Sequence, residues 1–275
     1  SSNTAGAGNV AIGEEAMLNT TTSANVAIGN DAAKANTSGS QFVAVGNQAL
    51  ADNTTGAYSV AVGHSALKNN TTGSANIGVG QFTLYDNETG VNNVAVGHYA
   101  LENNTNSNNT GVGFNALKAN TTAGSNTAVG AYSLDANTTG SNNTAFGRDA
   151  LGINTTANNG VAVGRAALAS NTTGANNTAI GTYAMQVSTT GGNNTGVGYQ
   201  ALDANTTGNT NTAIGYHTLK VNTTGAQNVA IGALALDANT TANGNTAVGY
   251  GVLTNNTSGT FNASVGMDSL SDNTT

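Results

Sequence analysis

One short unit recurs sixteen times along the whole chain, and this repeat constrains the fold more than any other feature. Its clearest form is Asn-Thr-Thr-Gly-x-x-Asn-Val-Ala-Val-Gly-x-x-Ala-Leu-x-x, and we call its second glycine the repeat glycine. Thirteen of the fifteen intervals between successive repeat glycines are as long as that from Gly29 to Gly46, and the other two are shorter by a single position. A fixed period this short predicts a solenoid, in which each coil is stabilised mainly by its neighbours. The repeat glycines are Gly13, Gly29, Gly46, Gly63, Gly80, Gly97, Gly113, Gly130, Gly147, Gly164, Gly181, Gly198, Gly215, Gly232, Gly249 and Gly266.

The residues before each repeat glycine alternate in the manner of a β-strand. Val or Ile almost always precedes the glycine, a small residue stands two before it, and Val, Ile or Thr usually stands three before it. This pattern predicts a strand with one buried face, and we expect the Val/Ile columns, from Ile12 to Val265, to be the buried ones. Four residues after the glycine, a second apolar column that includes Leu50 and Leu134 completes the expected core. The predicted fold is therefore all-β, a β-solenoid (β-roll or β-helix) of about sixteen 17-residue coils that forms a single domain over residues 1–275.

Two columns of asparagine accompany the apolar columns. One stands four residues before the repeat glycine, as at Asn25 and Asn76, and the other opens the turn, as at Asn36 and Asn53. Asparagine tolerates left-handed backbone and hydrogen-bonds within its own turn. Stacked at about 4.8 Å, its amides can also pair from coil to coil, so we expect an asparagine ladder.

Composition excludes several classes of function. The net charge is −7 and the chain holds only six Lys and Arg residues, too few for a phosphate-binding stripe, so we expect no nucleic-acid partner. No apolar run approaches the roughly 18 residues that cross a bilayer, so we expect no membrane insertion. The strict apolar positions in every coil argue against a disordered low-complexity tract.

Short motifs in the repeat resemble those of known surface proteins. Asn-Val-Ala-Ile-Gly at 9–13 and 25–29, and Asn-Val-Ala-Val-Gly at 93–97, resemble the head repeats of trimeric autotransporter adhesins and similar repeats of phage tail-fibre and surface-fibre proteins. The resemblance implies a β-roll with three chains side by side, on a cell or virion surface. The chain departs from those repeats in its 17-residue period and its Asn-Thr-Thr-Gly corner. A weaker likeness is to plant ice-binding repeats.

The sequence offers no catalytic constellation. His64, His98 and His217 lie in separate coils, and no aspartate column of the calcium-binding kind is present. Gly-Val-Gly at 78–80, 111–113 and 196–198 is the repeat motif with Gly in place of Ala rather than a phosphate loop. We expect no enzyme activity, no metal and no cofactor.

Three repeated surfaces remain as candidate sites. Aromatic residues cluster in the pair after the repeat glycine and could contact glycans or a neighbouring chain. They are Phe82, Tyr99, Phe114, Tyr132, Tyr183, Tyr199, Tyr216 and Tyr250. The Thr-Thr corner could form a threonine ladder. Asn-x-Thr/Ser sequons are candidate glycosylation sites, and they include Asn53, Asn70, Asn120, Asn137, Asn171, Asn205, Asn222 and Asn239.

Charged residues also follow the coil stacking. Five residues after the repeat glycine, opposite charges alternate in two runs, which predicts ion pairs between neighbouring coils. The runs are Glu102, Lys118, Asp135 and Asp203, Lys220, Asp237.

These observations favour a structural, extracellular fibre or an adhesin-type β-solenoid. Self-association is expected, side by side as a trimer or head to tail, because neither Ser1–Thr4 nor the C-terminal Asp272–Thr275 shows a polar cap. The alternative hypothesis is a solenoid that binds glycans, a host surface or ice through one regular face.

Overall fold

A computed structural model describes residues 6–275, which contain sixteen three-residue strands and no helix. Contacts divide the chain into two units, one ending at Thr139 and one spanning Gly140–Thr275. The strands of the first unit are β1 (Val10–Ile12), β2 (Val26–Ile28), β3 (Val43–Val45), β4 (Val60–Val62), β5 (Ile77–Val79), β6 (Val94–Val96), β7 (Thr110–Val112) and β8 (Thr127–Val129). Those of the second are β9 (Thr144–Phe146), β10 (Val161–Val163), β11 (Thr178–Ile180), β12 (Thr195–Val197), β13 (Thr212–Ile214), β14 (Val229–Ile231), β15 (Thr246–Val248) and β16 (Ala263–Val265).

Within each unit, every strand pairs in parallel with the next strand in the sequence. Paired residues are one coil apart in the sequence, so equivalent residues of neighbouring coils lie side by side, as Val43 does with Val60 and Ala44 with Ala61. The remainder of each coil consists of turns and bends. The predicted all-β solenoid with 17-residue coils is confirmed, whereas a single domain over residues 1–275 stays a prediction.

The predicted orientation of the strands is wrong. The middle residue of each strand from β2 to β16 is buried on the inner face, and Ala44 and Ala61 are fully buried. The Val and Ile residues on either side point outward, and Val62 and Ile180 are 36% and 41% exposed. Because side chains alternate along a strand, one small inward residue places both branched neighbours on the outer face. The interior is narrow there, since a Cβ added at Gly78 would lie 2.8 Å from the Oγ1 of Thr83 and would contact the Leu67 side chain at 3.5 Å.

The second apolar column lies in the core, as predicted. Leu50 and Leu134 are fully buried, and the alanine that often precedes such a leucine, as Ala49 does, is buried too. Leu50 has a φ of 52°, which is uncommon for a residue other than glycine. Its amide donates to the carbonyl oxygen of Ala66 in the next coil, so burial and coil-to-coil bonding hold this conformation.

Two independent structural constraints require glycine at the repeat-glycine position, as Gly198 illustrates. Its φ is 134°, a value that side chains disfavour. A Cβ at this position would also overlap the carbonyl oxygen of Gly215, one coil further on. The coils can therefore approach this closely only because Gly198 has no side chain.

Both asparagine columns are buried, and the predicted ladder is present. The Nδ2 of Asn53 donates to the Oδ1 of Asn36 at 2.8 Å and to the carbonyl oxygen of Gly56 at 3.0 Å. In the other column, the Oδ1 of Asn76 accepts a hydrogen bond from the backbone amide of Asn93 at 2.9 Å. These bonds satisfy polar groups that would otherwise be costly to bury.

In the second unit, the ladder of the column that opens the turn has one defect, at Ser188. Serine replaces asparagine there, and its side chain is too short to continue the ladder. The buried Oγ of Ser188 and the buried Oδ1 of Asn171, one coil earlier, consequently have no hydrogen-bond partner. The next asparagine, Asn205, uses its Nδ2 to donate to Gly208 within its own coil.

The N-terminal residues Ser1–Thr4, which the sequence predicts to lack a cap, lie outside the described residues. Within residues 6–275, no helix has the length and apolar character needed to cross a membrane.

Candidate interaction surfaces

The outer face of the strands, which we call the sheet face, is the most regular surface of each unit. It consists of the first and third residues of every strand, and none of the sixteen strands contains a charged residue. In the first unit, strands β2–β6 place Val or Ile at both outward positions. In the second unit, Thr commonly occupies the first outward position, as Thr178 does beside Ile180. Exposed apolar surface this continuous is typical of interaction sites.

The predicted aromatic residues of the first unit come together as an edge of contacting rings. Phe82 and Tyr99 stack with centroids 5.4 Å apart and planes 5° from parallel. Phe114 and Tyr132 meet edge to face at 5.3 Å. The Nζ of Lys118 lies 4.7 Å from the centre of the Tyr99 ring. The stacked rings therefore cover one another, which leaves less ring face available for a ligand.

In the second unit, three of the four predicted aromatic residues form a similar edge. Tyr199 stacks on Tyr216 at 5.8 Å and meets Tyr183 edge to face at 6.2 Å. Tyr250 is 53% exposed and makes no ring contact with any described residue. Contact of all eight aromatic residues with a partner stays a prediction.

The Thr-Thr corner uses its first hydroxyl within the fold. The Oγ1 of Thr54 donates to the carbonyl oxygen of Thr71 at 2.9 Å, and Thr206 donates in the same way to Thr223 at 3.1 Å. A threonine ladder is present, but this column of hydroxyls binds the next coil instead of facing a ligand.

The candidate glycosylation sites are placed in the interior. All eight of these side chains are at most 1% exposed. Several of their amides form the ladder, as Asn222 does by donating to Asn205 at 2.9 Å. A glycan attached to such an amide would need space inside the coil and would remove a donor from the ladder. Glycosylation at these positions stays a prediction. The eight are Asn53, Asn70, Asn120, Asn137, Asn171, Asn205, Asn222 and Asn239.

The charged column forms one of the expected ion pairs in the first unit. Lys118 Nζ lies 3.6 Å from Glu102 Oε2. In the second unit, burial raises the pKa of Asp203 and of Asp237, although the charge of Lys220 between them acts in the opposite direction. Burial, followed by the charge of Lys220, lowers the pKa of His217. This cluster is a desolvated patch, and one carboxylate oxygen of Asp237 is buried with no hydrogen-bond partner.

A polar groove crosses the coils near the start of the first unit. Five residues after successive repeat glycines stand Lys34, Ala51 and Lys68, so a small side chain lies between two long ones. The groove has a volume of about 370 Å³, and Asp31 and Asp52 also line it. Sequence reasoning missed this site, although alignment of the repeats reveals the Lys-Ala-Lys column that forms it.

The histidines of the first unit contact aromatic rings. His64 and His98 lie against the Phe82 ring, at centroid distances of 5.2 Å and 6.4 Å. Across residues 6–275, no three His, Asp or Glu side chains lie close enough together to hold one metal ion.

Comparisons with known proteins add no family assignment. The chain matches no protein-family model and none of the curated proteins with which it was compared. The resemblance to adhesin head repeats therefore depends on the short repeat motif and on the parallel β-solenoid fold.

Proposed function

We propose that this chain is a structural, extracellular β-solenoid of the fibre or adhesin type, whose copies pack side by side through the sheet face. The observation that carries this proposal is the outward position of the Val and Ile columns. The branched apolar side chains of Ile180 and Ile214 are 41% and 38% exposed, so a large part of their surface remains in water in the single chain. Covering them with a second copy would remove that apolar surface from water.

The absence of charge on the described strands supports the same partner. Two copies of one chain present identical charges to each other, so a self-associating surface must avoid uncompensated charge at its centre. The thirteen acidic and six basic residues of the chain all lie outside the sixteen strands. The resemblance to trimeric adhesin heads gives three as the expected number of chains.

The proposal is tested by placing charge on the sheet face of the second unit. The double variant Ile180→Glu/Ile214→Glu introduces carboxylates at two exposed positions, so the monomer should still fold while the oligomer dissociates. Sedimentation velocity should show an oligomer for the wild type and a 26.9 kDa monomer for the variant.

A matched control is available in the same two coils. Val187 and Val221 are 43% and 38% exposed and lie outside the strands. The variant Val187→Glu/Val221→Glu carries the same added charge and should assemble as the wild type does. A monomeric wild type, or equal dissociation of both double variants, would contradict assembly through the sheet face.

Ice binding is the alternative that uses the same regular face, and the same variants separate it from self-association. An ice-binding face would produce thermal hysteresis that Ile180→Glu/Ile214→Glu removes, in a wild type that sediments as a monomer. Head-to-tail association stays a prediction, which the length distribution of particles in electron micrographs would measure.

A further inference from the structure

We infer that the polar groove of the first unit is a binding site for a neutral saccharide. The groove lies between coils and does not involve the sheet face, so this inference is independent of the proposed self-association. It depends on three properties of the lining residues, which are the shape of the notch, its balance of charge, and the presence of unengaged polar groups.

The shape follows from small residues in two adjacent columns. Ala51 stands between Lys34 and Lys68 in the column five residues after the repeat glycine. In the next column, Ala35 stands between Asn19 and Asp52. The two lysines are two coils apart, a separation of about 9–10 Å at ~4.8 Å per coil. All six residues line the groove, whose volume of about 370 Å³ is near the lower limit for small-molecule sites.

The charges in the groove balance, which favours a neutral ligand. The lining residues include two ammonium groups, of Lys34 and Lys68, and two carboxylates, of Asp31 and Asp52, while Glu15 pairs with Lys34 from outside the lining. Lys34 is held in place by ion pairs with Glu15 and with Asp31, the latter at 3.4 Å. These ion pairs favour one orientation of its ammonium group before a ligand arrives, which lowers the ordering cost of binding.

Several polar groups in the groove remain available to a ligand. Asp52 is exposed, and no other described residue engages its carboxylate. Gln48 accepts a 3.5 Å hydrogen bond from Ser65 through its Oε1, which leaves its Nε2 donor available. Adjacent hydroxyl groups of a pyranose ring each donate and accept, so they can bond to a carboxylate, an amide and an ammonium group at the same time. Lys68 donates a 3.5 Å hydrogen bond to the Oη of Tyr85 and lies 5.6 Å from the centre of that ring, which orients this ammonium group at one end of the groove.

The inference is tested by saturation-transfer NMR on the wild-type chain with a panel of small probes. The neutral probes are the methyl pyranosides of glucose, galactose, mannose and N-acetylglucosamine. The charged probes are glucuronate and glucosamine. At least one neutral pyranoside should bind, with a Kd on the order of 1 mM, as expected for a shallow polar site.

Filling the notch should abolish this binding without affecting the fold. Ala51→Gln places a longer side chain in a column that already carries glutamine at Gln186 in the second unit. The control is Ala169→Gln, the same substitution in the same column of another coil. We expect binding to weaken at least tenfold in Ala51→Gln only, with both variants giving the circular dichroism spectrum of the wild type.

Three results would overturn the inference. These are binding of none of the neutral pyranosides, binding of charged probes only, and wild-type affinity in a folded Ala51→Gln variant. The sheet-face variant Ile180→Glu/Ile214→Glu should bind the saccharide as the wild type does. Loss of assembly and loss of saccharide binding are consequently measured by separate variants, and either can fail without the other.

Discussion

At the scale of single residues, buried asparagines explain how a chain this polar can form a core. Asn53 and its equivalents replace water with neighbouring amides and with turn carbonyls, so the interior contains polar groups whose hydrogen bonds are satisfied. Stacking of asparagines was predictable because the residue recurs at the coil period. Burial of the sequons was not predictable, because the Asn-x-Thr motif is the same whether its amide faces solvent or the core.

The ladder defect gives a residue-scale prediction. Ser188→Asn should restore hydrogen bonds to Asn171 and Asn205, and stabilise the chain by about 1–2 kcal/mol, since buried polar atoms without partners are costly. Urea unfolding followed by circular dichroism measures the change. The reverse substitution, Asn222→Ser, creates the same defect in an intact part of the ladder and should destabilise by a similar amount. Unchanged stability in both variants would show that the ladder contributes little.

The desolvated patch gives a second prediction, on pH dependence. Burial raises the pKa of Asp237 above its ordinary value of 3.8, so its ionised form opposes folding at neutral pH. This cost decreases as the pH falls from the raised pKa towards 3.8, because the folded chain then takes up the proton first. Asp237→Asn should therefore stabilise by about 0.5 kcal/mol at pH 7, a figure reduced for solvent screening, and by less near pH 4.

The control for this pH effect is Glu88→Gln, which removes one negative charge from an exposed position. It separates the local desolvation of Asp237 from the change in net charge. Equal gains in both variants, or a gain for Asp237→Asn that grows as the pH falls, would contradict the assignment.

At the scale of the structural element, the space inside the coil determines which strand side chains are buried. Ala213 is fully buried, whereas the adjacent Ile214 is 38% exposed. Ala213→Leu should destabilise the chain by several kcal/mol, because a close-packed interior accommodates extra volume only by moving its neighbours. Ile214→Ser should cost less than about 1 kcal/mol in the monomer, as is usual for exposed positions. Thermal melts of both variants test this, and the opposite ranking would restore the orientation expected from the sequence.

The error in that expectation has a specific physical cause. Alternation of Val, Ala and Ile shows that a strand has two unlike faces, but it does not show which face is buried. By hydrophobicity alone, Ile214 would be the buried residue of its strand. The space available inside the coil is instead limited by the leucine column, which belongs to another part of the coil. The repeat period and the leucine column could be read from the sequence. How the strand residues fit against the leucines could be seen only from their positions in the structure.

At the scale of the whole molecule, repetition leaves function to surfaces that extend over several coils. The sequence identified the aromatic edge because aromatic residues are conspicuous within each repeat. It did not identify the sheet face or the groove, because each is defined by residues at the same position in several neighbouring coils. Ala51 is unremarkable within its own repeat and becomes informative only between Lys34 and Lys68. Functional residues in such a chain are therefore found by aligning coils as well as by searching for motifs.

A final prediction concerns the modular organisation of the chain. Deletion of one complete coil, from Tyr199 to Gly215, joins Gly198 to Tyr216, so every column remains in register. Each coil contacts only its neighbours, and the shortened chain should therefore fold and lose roughly one coil's share of the stability. Deletion of only Tyr199–Thr206 leaves one coil too short for β12 and β13 to pair in register, and it should interrupt the solenoid at the junction. Circular dichroism and limited proteolysis distinguish the two, and equal tolerance of both deletions would refute a coil-based architecture.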